Sequence, residues 1–122
     1  MHVIKAKVKH TGFSSDRYLK NLQKILTYDN LKKIAEESIE DFKLASPTNE
    51  ISLNWSYTIR NDDRRIVMSF DNTTFENGEN IAILIDVGHG TLSGKWVPGT
   101  HYLNEPIKKT YERINNLLVE AQ

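Results

Sequence analysis

Cysteine is absent from this 122-residue chain, and so are long apolar runs and a net charge. Without cysteine the chain forms no disulfide, uses no thiolate nucleophile and holds no zinc through sulfur. The longest apolar run covers residues 81–85, far short of the ~20 residues that span a membrane. The first ten residues alternate lysine with apolar side chains and lack the continuous apolar core of a signal peptide. We therefore expect a protein of a reducing compartment, either a cytosolic product or a component of a particle.

The charge balance argues against a protein that grips nucleic acid. Sixteen basic residues cancel sixteen acidic ones, whereas such proteins usually carry a positive excess that neutralises phosphates. The charges are nevertheless separated along the chain. Residues 1–24 hold six basic residues against one acidic residue, and residues 71–86 hold four acidic residues and no basic one. Either these segments are solvated faces, or opposite ends of one subunit meet head to tail in an assembly.

Three helices are predicted from apolar positions that recur at helical spacing. The clearest covers residues 31–45 and stops at Ser46–Pro47, because the residue before a proline is biased away from helix. A shorter helix covers about residues 14–26, with a serine as its N-cap. The last helix is predicted to begin at Asn104 as the cap, with Pro106 at its first position.

Strands are predicted where apolar and polar residues alternate. Residues 51–59 alternate strictly, and residues 64–70 are predicted to form a second strand after a polar turn. Residues 51–70 are therefore predicted to form a β-hairpin. Residues 2–9 alternate lysine with apolar side chains, which is typical of an edge strand or an extended arm, here expected over residues 1–11. We expect the lysines of this segment to face outward.

Two further segments are harder to assign. Residues 80–87 suit a buried strand and a short helix equally well, since five consecutive apolar residues carry no period. Trp96–Val97 is consistent with another short strand. The whole pattern predicts one α+β domain over residues 1–122. A small antiparallel sheet, made of the hairpin and one or two further strands, would pack against two or three helices.

The stretch DVGHGTLSGKWVPG, residues 86–99, holds four of the six glycines and follows the apolar run. Such loops often cradle phosphates, but both known patterns fail here. A P-loop would need glycine where His89 stands and a hydroxyl where Trp96 stands. A dinucleotide fingerprint would need glycine at Ser93. We expect instead that the glycines permit tight turns and positive φ, with Trp96 and Val97 anchoring the excursion, and we expect no cofactor.

A metal site is the main chemical alternative in this region. His89 and His101, with Asp86 three residues before the first, offer ligands of the right type. However, the two histidines lie twelve residues apart across a proline, and a histidine between two glycines more often bonds its own loop backbone. A small metal-binding or nucleic-acid-binding regulator that uses His89 and His101 remains an alternative, although the main prediction for this protein includes no metal.

Nothing in the chain indicates an enzyme. The acidic pairs fall on polar helix faces or in a turn, and no serine has a base nearby in the sequence. Three arginines, Arg60, Arg64 and Arg65, surround the predicted hairpin turn. They form either a solvated tip or a contact to a partner or to a DNA backbone.

The order of the segments resembles a family of small proteins from long-tailed bacteriophages and prophages, the head–tail joining or tail-completion minor tail components. The resemblance covers roughly residues 30–118 and is most specific in the C-terminal half. The matching stretches, in order, are Ser46–Pro47, Asn54–Trp55, Gly88–Thr91, Gly94, Trp96–Gly99 and Tyr102–Pro106.

The resemblance implies a non-enzymatic structural subunit of the virion neck or upper tail, assembled in the cytoplasm of a bacterial host. Its expected partners are copies of itself in a ring, often of six, together with connector or head-closure proteins and tail-tube or tail-terminator proteins. DNA would pass through the channel without specific binding, and no membrane is involved. A tail-terminator role in the same assembly is the closest alternative. The residues expected to contact partners are His89, Thr91, Lys95, Trp96, Arg60, Arg64 and Arg65.

Overall fold

Three helices follow the first strand and precede the remaining strands in a computed structural model that describes residues 4–9, 16–62 and 65–120. The elements of this part are β1 (Ile4–Lys9), α1 (Asp16–Ile25), α2 (Tyr28–Ala45), α3 (Asn49–Leu53), β2 (Trp55–Asp62), β3 (Arg65–Asn72), β4 (Phe75–Glu76), β5 (Glu79–Asn80), α4 (Ile81–Val87), β6 (Gly88–Gly90), β7 (Trp96–Pro98) and α5 (Asn104–Val119). The predicted α+β class is confirmed. Two of these five helices are short: α3 was predicted as a strand, whereas α4 is one of the two alternatives left open for residues 80–87.

The main sheet has the strand order β1-β3-β2, and both pairings are antiparallel. The predicted hairpin is confirmed from Trp55 onward, where Trp55 pairs with Asn72 and Asp62 pairs with Arg65. The predicted edge strand is confirmed for Ile4–Lys9, which pairs with β3. The rest of the arm and the outward direction of its lysines lie outside what the structure describes, as do the tip of the hairpin turn and the serine caps of α1.

The first residues of the predicted hairpin are a helix instead of a strand. Asn49–Leu53 form α3, because the Thr48 side chain caps the segment by accepting a hydrogen bond of 3.2 Å from the Ile51 amide. Ile51 is buried in either arrangement, but Leu53 is 75% exposed rather than inward-facing. The alternation of apolar and polar residues over positions 51–53 therefore does not indicate a strand.

The core lies between α2 and the sheet. The Phe42 ring is 5.0 Å from the rings of both Trp55 and Phe70, stacked on the first and edge-on to the second. The Trp55 indole also donates a 2.8 Å hydrogen bond to Ser46 Oγ at the end of α2. Helix α2 follows the predicted periodicity but begins three residues earlier, at Tyr28, where the Thr27 hydroxyl caps it by accepting a 3.3 Å hydrogen bond from the Asn30 amide.

Helix α5 packs against α2 through buried polar groups. Thr110 Oγ1 lies 2.9 Å from Ser38 Oγ, and both side chains are fully buried. Arg113 bonds the Asp41 carboxylate and lies 3.3 Å from Glu37 Oε2. The predicted cap of α5 is wrong: Leu103, which is buried in the core, occupies the N-cap position, so that Asn104 is the first helical residue and Pro106 the third.

Residues 80–87, which the sequence pattern left unassigned, contain helix α4. The Asn80 side chain caps it by accepting a 3.3 Å hydrogen bond from the Ile83 amide. Asn77 and Gly78 join β4 to β5 with φ values of 52° and 79°, the left-handed pair that a two-residue hairpin turn requires. The cap and this turn together place α4 after a sharp reversal.

A buried asparagine fixes the position of α4 relative to the sheet. The Asn72 amide donates to the Ile51 carbonyl at 2.9 Å, and its Oδ1 accepts from the Thr74 amide at 3.0 Å. The Asn72 carbonyl in turn accepts a 2.9 Å bond from Asn80 Nδ2. Because these groups are buried, the bonds link α3, the end of β3 and the start of α4 into one unit.

Candidate functional site

The glycine-rich stretch forms a second antiparallel hairpin, β6–β7, that leaves the end of α4. Gly88 pairs with Pro98, His89 with Val97 and Gly90 with Trp96, which confirms the short strand predicted at Trp96–Val97. Residues 90–98 are all exposed. The hairpin is therefore a projection from the core rather than a wall of a buried pocket.

Two glycines allow the two legs of this hairpin to cross at its base. A Cβ on Gly99 would lie 2.2 Å from the Asp86 carbonyl oxygen and 2.5 Å from the Val87 carbonyl carbon. Gly88 has φ +92°, and a Cβ there would lie 2.7 Å from the Val97 carbonyl oxygen. These neighbours are backbone atoms that cannot rotate away, so only glycine fits either position.

The glycine at position 90 has a different status. Gly90 has no left-handed φ, and a Cβ there would meet no atom within 4 Å. The expectation that all four glycines of the stretch serve tight turns and positive φ is therefore wrong for Gly90. It holds in part for Gly99, which is needed for close approach rather than for positive φ.

The return leg is bonded to the last turn of α4. The amides of Thr100 and His101 donate to the Ile85 and Asp86 carbonyls at 2.9 and 3.0 Å, and Leu103 donates to Asp86 Oδ1 at 3.0 Å. These bonds satisfy carbonyls that a helix end otherwise leaves without partners. The base of the hairpin is thereby fixed to α4.

Tyr102 extends this anchor into the core. Its hydroxyl donates a 2.8 Å hydrogen bond to the Ala82 carbonyl in the first turn of α4. Burial, reinforced by the nearby Asp86 carboxylate, raises the pKa of Tyr102 well above its ordinary value of 10.0. The hydroxyl therefore keeps its proton and remains a donor to α4 throughout the physiological pH range.

The tip of the hairpin is ordered by Thr91. Its amide donates to the Lys95 carbonyl at 2.8 Å, and its carbonyl accepts from the Gly94 amide at 3.0 Å. Its hydroxyl lies 3.0 Å from Ser93 Oγ and accepts from the Lys95 amide at 3.2 Å. Gly94 supplies the one left-handed φ of the tip, +81°. The loop thus has a defined shape.

The side chains that the hairpin presents are largely apolar. Leu92 is fully exposed, Trp96 is 64% exposed, and Val87 and Val97 are each about half exposed. The prediction that Trp96 and Val97 anchor the excursion is wrong, because the hydrogen bonds to α4 do so. Exposed apolar side chains on an ordered projection are typical of a surface that meets another molecule.

The structure does not assemble a metal site around the two histidines. His89 lies in β6 with its Nδ1 buried and unpartnered, while His101 is exposed and has φ 54°. The Asp86 carboxylate already accepts from the Leu103 amide. Among the residues that the structure describes, no three His, Asp or Glu side chains are grouped to hold a metal ion. Zinc sites use at least three protein ligands.

The predicted arginine cluster is at the end of the main sheet, where β2 meets β3. Arg60 is exposed and pairs with Val67, and Arg65 is the first residue of β3. Arg64 lies outside the described residues. Strand length puts this end roughly 20–25 Å along the sheet from Asn72, the residue that bonds the start of α4. The arginines thus lie at the opposite end of the main sheet from Asn72, which bonds the start of the helix that leads into the β6–β7 hairpin.

A groove that the sequence analysis did not identify lies beside α4. We call it the α3–α4 groove; it has a volume of about 410 Å³ and is lined by Thr48, Glu50, Ile51, Thr74, Phe75, Glu76, Ile81 and Ile85. Its lining combines apolar side chains, three of them isoleucines, with two threonines, and the exposed carboxylates of Glu50 and Glu76 lie at its rim. The available signal was the acidic segment at residues 71–86, which could not be connected with Glu50 before α3 was known.

Comparison with protein-family models, with curated proteins and with solved structures yields no match. Within the described part of the chain, no helix is long and apolar enough to cross a membrane.

Proposed function

We propose that this chain is a structural subunit of the neck or upper tail of a long-tailed phage particle, where it helps to join the tail to the capsid. It would act by protein–protein contact, as a ring of copies placed between connector or head-closure proteins and the tail tube. The observation that carries the proposal is the β6–β7 hairpin, which is fixed at its base and exposes apolar side chains at its tip.

Three of the six stretches that resemble the phage family, Gly88–Thr91, Gly94 and Trp96–Gly99, build this hairpin. Gly88 and Gly99 permit the crossing at its base, Thr91 and Gly94 shape the tip, and Trp96 is presented to solvent. None of these residues forms a constellation for acid–base or nucleophilic chemistry. This supports recognition of a partner by shape rather than catalysis.

A fixed projection suits assembly for an energetic reason. Binding costs free energy for every loop or side chain that must be ordered. Here the base carries five hydrogen bonds to α4, and the tip carries four bonds of its own around Thr91. Since that order exists before any partner arrives, more of the apolar contact energy is available for association.

The location can be tested by imaging particles from the strain that carries the gene. An epitope tag at the C-terminus, detected by antibody–gold electron microscopy, should mark the junction of head and tail. Deletion of the gene should give DNA-filled heads and free tails that fail to join. Finding the protein only in the host cytosol, and joined particles without it, would refute the proposal.

Tail length in the same deletion strain separates the two roles in the assembly. A tail-completion protein acts on finished tails, so free tails should keep the wild-type length distribution. A tail terminator controls length, so its loss should give tails of irregular, extended length. The micrographs that test joining also supply this measurement.

Metal content tests the remaining alternative, a small regulator that uses His89 and His101. Elemental analysis of the purified protein should find no stoichiometric transition metal. A stoichiometric metal that is lost in His89→Ala and kept in a His10→Ala control would favour the regulator instead.

A further inference from the structure

We propose that the β6–β7 hairpin of one copy docks into the α3–α4 groove of a second copy. The inference deepens the proposed function, on whose ring of copies it rests, by naming the two surfaces that meet. Four features support it: the size of the groove, the isoleucine and phenylalanine side chains in its lining, the charges on the two surfaces, and the position of both surfaces on α4.

The groove has the size and lining of a site that receives a large side chain. Its volume of about 410 Å³ falls within the range of about 300–1,000 Å³ that is typical of ligand pockets. Ile51 is buried at its floor, Ile81 and Ile85 are half-buried, and Phe75 is 48% exposed at its side. An inserted apolar group would cover surface that is now in contact with water.

The hairpin offers an apolar group of the right kind. Trp96 is 64% exposed and next to Leu92 and Val97 on the same ordered projection. Tryptophan is enriched among the residues that dominate binding energy at interfaces, because it buries a large area with few rotatable bonds. We therefore assign Trp96 as the side chain that enters the groove.

The charges of the two surfaces are complementary. Lys95 is the only formally charged residue between residues 87 and 99. The groove has Glu50 and Glu76 at its rim, and Glu79 pairs with Glu76 across β4–β5. Within residues 16–62 and 65–120, none of these four side chains forms an ion pair. Each surface thus offers an unused charge of the sign that the other needs.

The two surfaces lie at different places on the same helix. Ile81 and Ile85 of α4 line the groove, whereas the hairpin extends from the C-terminal end of that helix. Because hairpin and groove are different surfaces, their contact can pass from copy to copy until a ring closes, whereas a reciprocal exchange between two copies would stop at a two-fold dimer. The first arrangement is the one that a ring-forming subunit needs, and sedimentation distinguishes it from the dimer.

Charge reversal in two separate variants tests the contact. Lys95→Glu places a carboxylate against Glu76, and Glu76→Lys places two lysines together, so each variant alone should associate at least tenfold more weakly than wild type. An equimolar mixture should regain wild-type association, because every hairpin then finds a compatible groove on the other variant. Sedimentation velocity measures all three samples, with circular dichroism as the check on folding.

Truncation of the anchor gives an independent measurement. Trp96→Ala should weaken association about thirtyfold, the loss expected for a central tryptophan. Tyr28→Ala is the matched control, since Tyr28 is 62% exposed but lies outside both surfaces, and it should associate like wild type.

Cysteine pairing supplies the geometric test, because the natural chain contains no cysteine to interfere. Lys95→Cys and Glu76→Cys should form a disulfide when the two variants are mixed, and neither should do so efficiently alone. A disulfide requires Cα atoms about 4.4–6.8 Å apart, so its rapid formation reports direct contact. Tyr28→Cys mixed with Lys95→Cys is the control and should remain uncoupled.

The outcomes separate this inference from the proposed function. If the mixture of reversed charges fails to recover while wild type still self-associates, the hairpin–groove contact is overturned, and a ring built through other surfaces remains proposed. If wild type stays monomeric up to about 1 mM, the contact is likewise overturned. Particle imaging, which does not depend on association in solution, then decides the function by itself.

Discussion

Gly99→Ala adds only one methyl group, yet we expect it to lower the free energy of unfolding substantially. The new Cβ would lie 2.2, 2.5 and 2.7 Å from three backbone atoms of residues 86–88. Real Cβ contacts are not that short, so the two legs of the β6–β7 hairpin must separate. The neighbouring hydrogen bonds from Thr100 and His101 to the end of α4, of 2.9 and 3.0 Å, would lengthen with that movement.

The magnitude follows from these two effects. Forcing an extra methyl group into close-packed surroundings costs about 1–3 kcal/mol, and each weakened hydrogen bond costs about 1 kcal/mol. We therefore expect Gly99→Ala to lower the free energy of unfolding by about 3–5 kcal/mol. For a domain of this size that corresponds to a fall in Tm of roughly 10 °C or more.

Gly90→Ala is the matched control in the same hairpin, because its Cβ would meet nothing within 4 Å. Its free energy of unfolding should stay within about 0.5 kcal/mol of wild type. Urea unfolding followed by circular dichroism measures all three proteins. If Gly99→Ala costs less than about 1 kcal/mol, or costs the same as Gly90→Ala, the close crossing at the base of the hairpin is refuted.

Three further substitutions test the anchors of the fold. Asn72→Ala removes both amide hydrogen bonds of a buried side chain and should cost about 2–4 kcal/mol in urea unfolding, whereas a loss below about 1 kcal/mol would contradict the linking role. Arg113→Met leaves the Asp41 carboxylate without its partner and should cost about 1–3 kcal/mol, against no measurable loss for the exposed control Lys108→Met. Tyr102 binds its proton more tightly in the native state than in the unfolded chain, because its pKa is raised above 10.0. Stability should consequently fall as the pH rises above about 10, and Tyr102→Phe should lack that part of the fall while Tyr28→Phe keeps it; identical alkaline profiles would refute the buried hydroxyl.

The elements that the sequence predicted well are those whose pattern is long. The buried stripe of α2 extends from Leu31 to Phe42, and the strand pair from Trp55 to Asn72 combines alternation with a polar turn. In both cases burial and periodicity agree over several turns or residue pairs, so that no single local contact reverses the outcome.

The structure of the short segments could not be predicted from the sequence, because a single side chain decides it. The cap from Thr48 turned an alternating stretch into α3, and the cap from Asn80 made a helix of an apolar run that had no period. Leu103 occupies the N-cap of α5 because the core needs its side chain, which displaces the better capping residue Asn104. Tertiary burial outweighs a cap worth about 1 kcal/mol.

The candidate site was predicted in part. Composition located the glycine-rich stretch and excluded the two phosphate-binding motifs, and the short strand at Trp96 was also predicted. The exposure of Trp96 and the crossing at Gly99 could not be read from the sequence, because both depend on how the return leg meets α4. The α3–α4 groove brings Glu50 together with Glu76, which are 26 positions apart, and no local pattern connects them.

The anchored base of the hairpin has a mechanical consequence. Five bonds to α4, from Thr100, His101, Tyr102 and Leu103, join the return leg to a helix that is itself bonded to the main sheet through Asn80 and Asn72. A force applied at Trp96 is therefore shared among several hydrogen bonds at once. Tension at the tip passes to α4 and from there to the end of β3, so that a pull on the hairpin is also a pull on the main sheet.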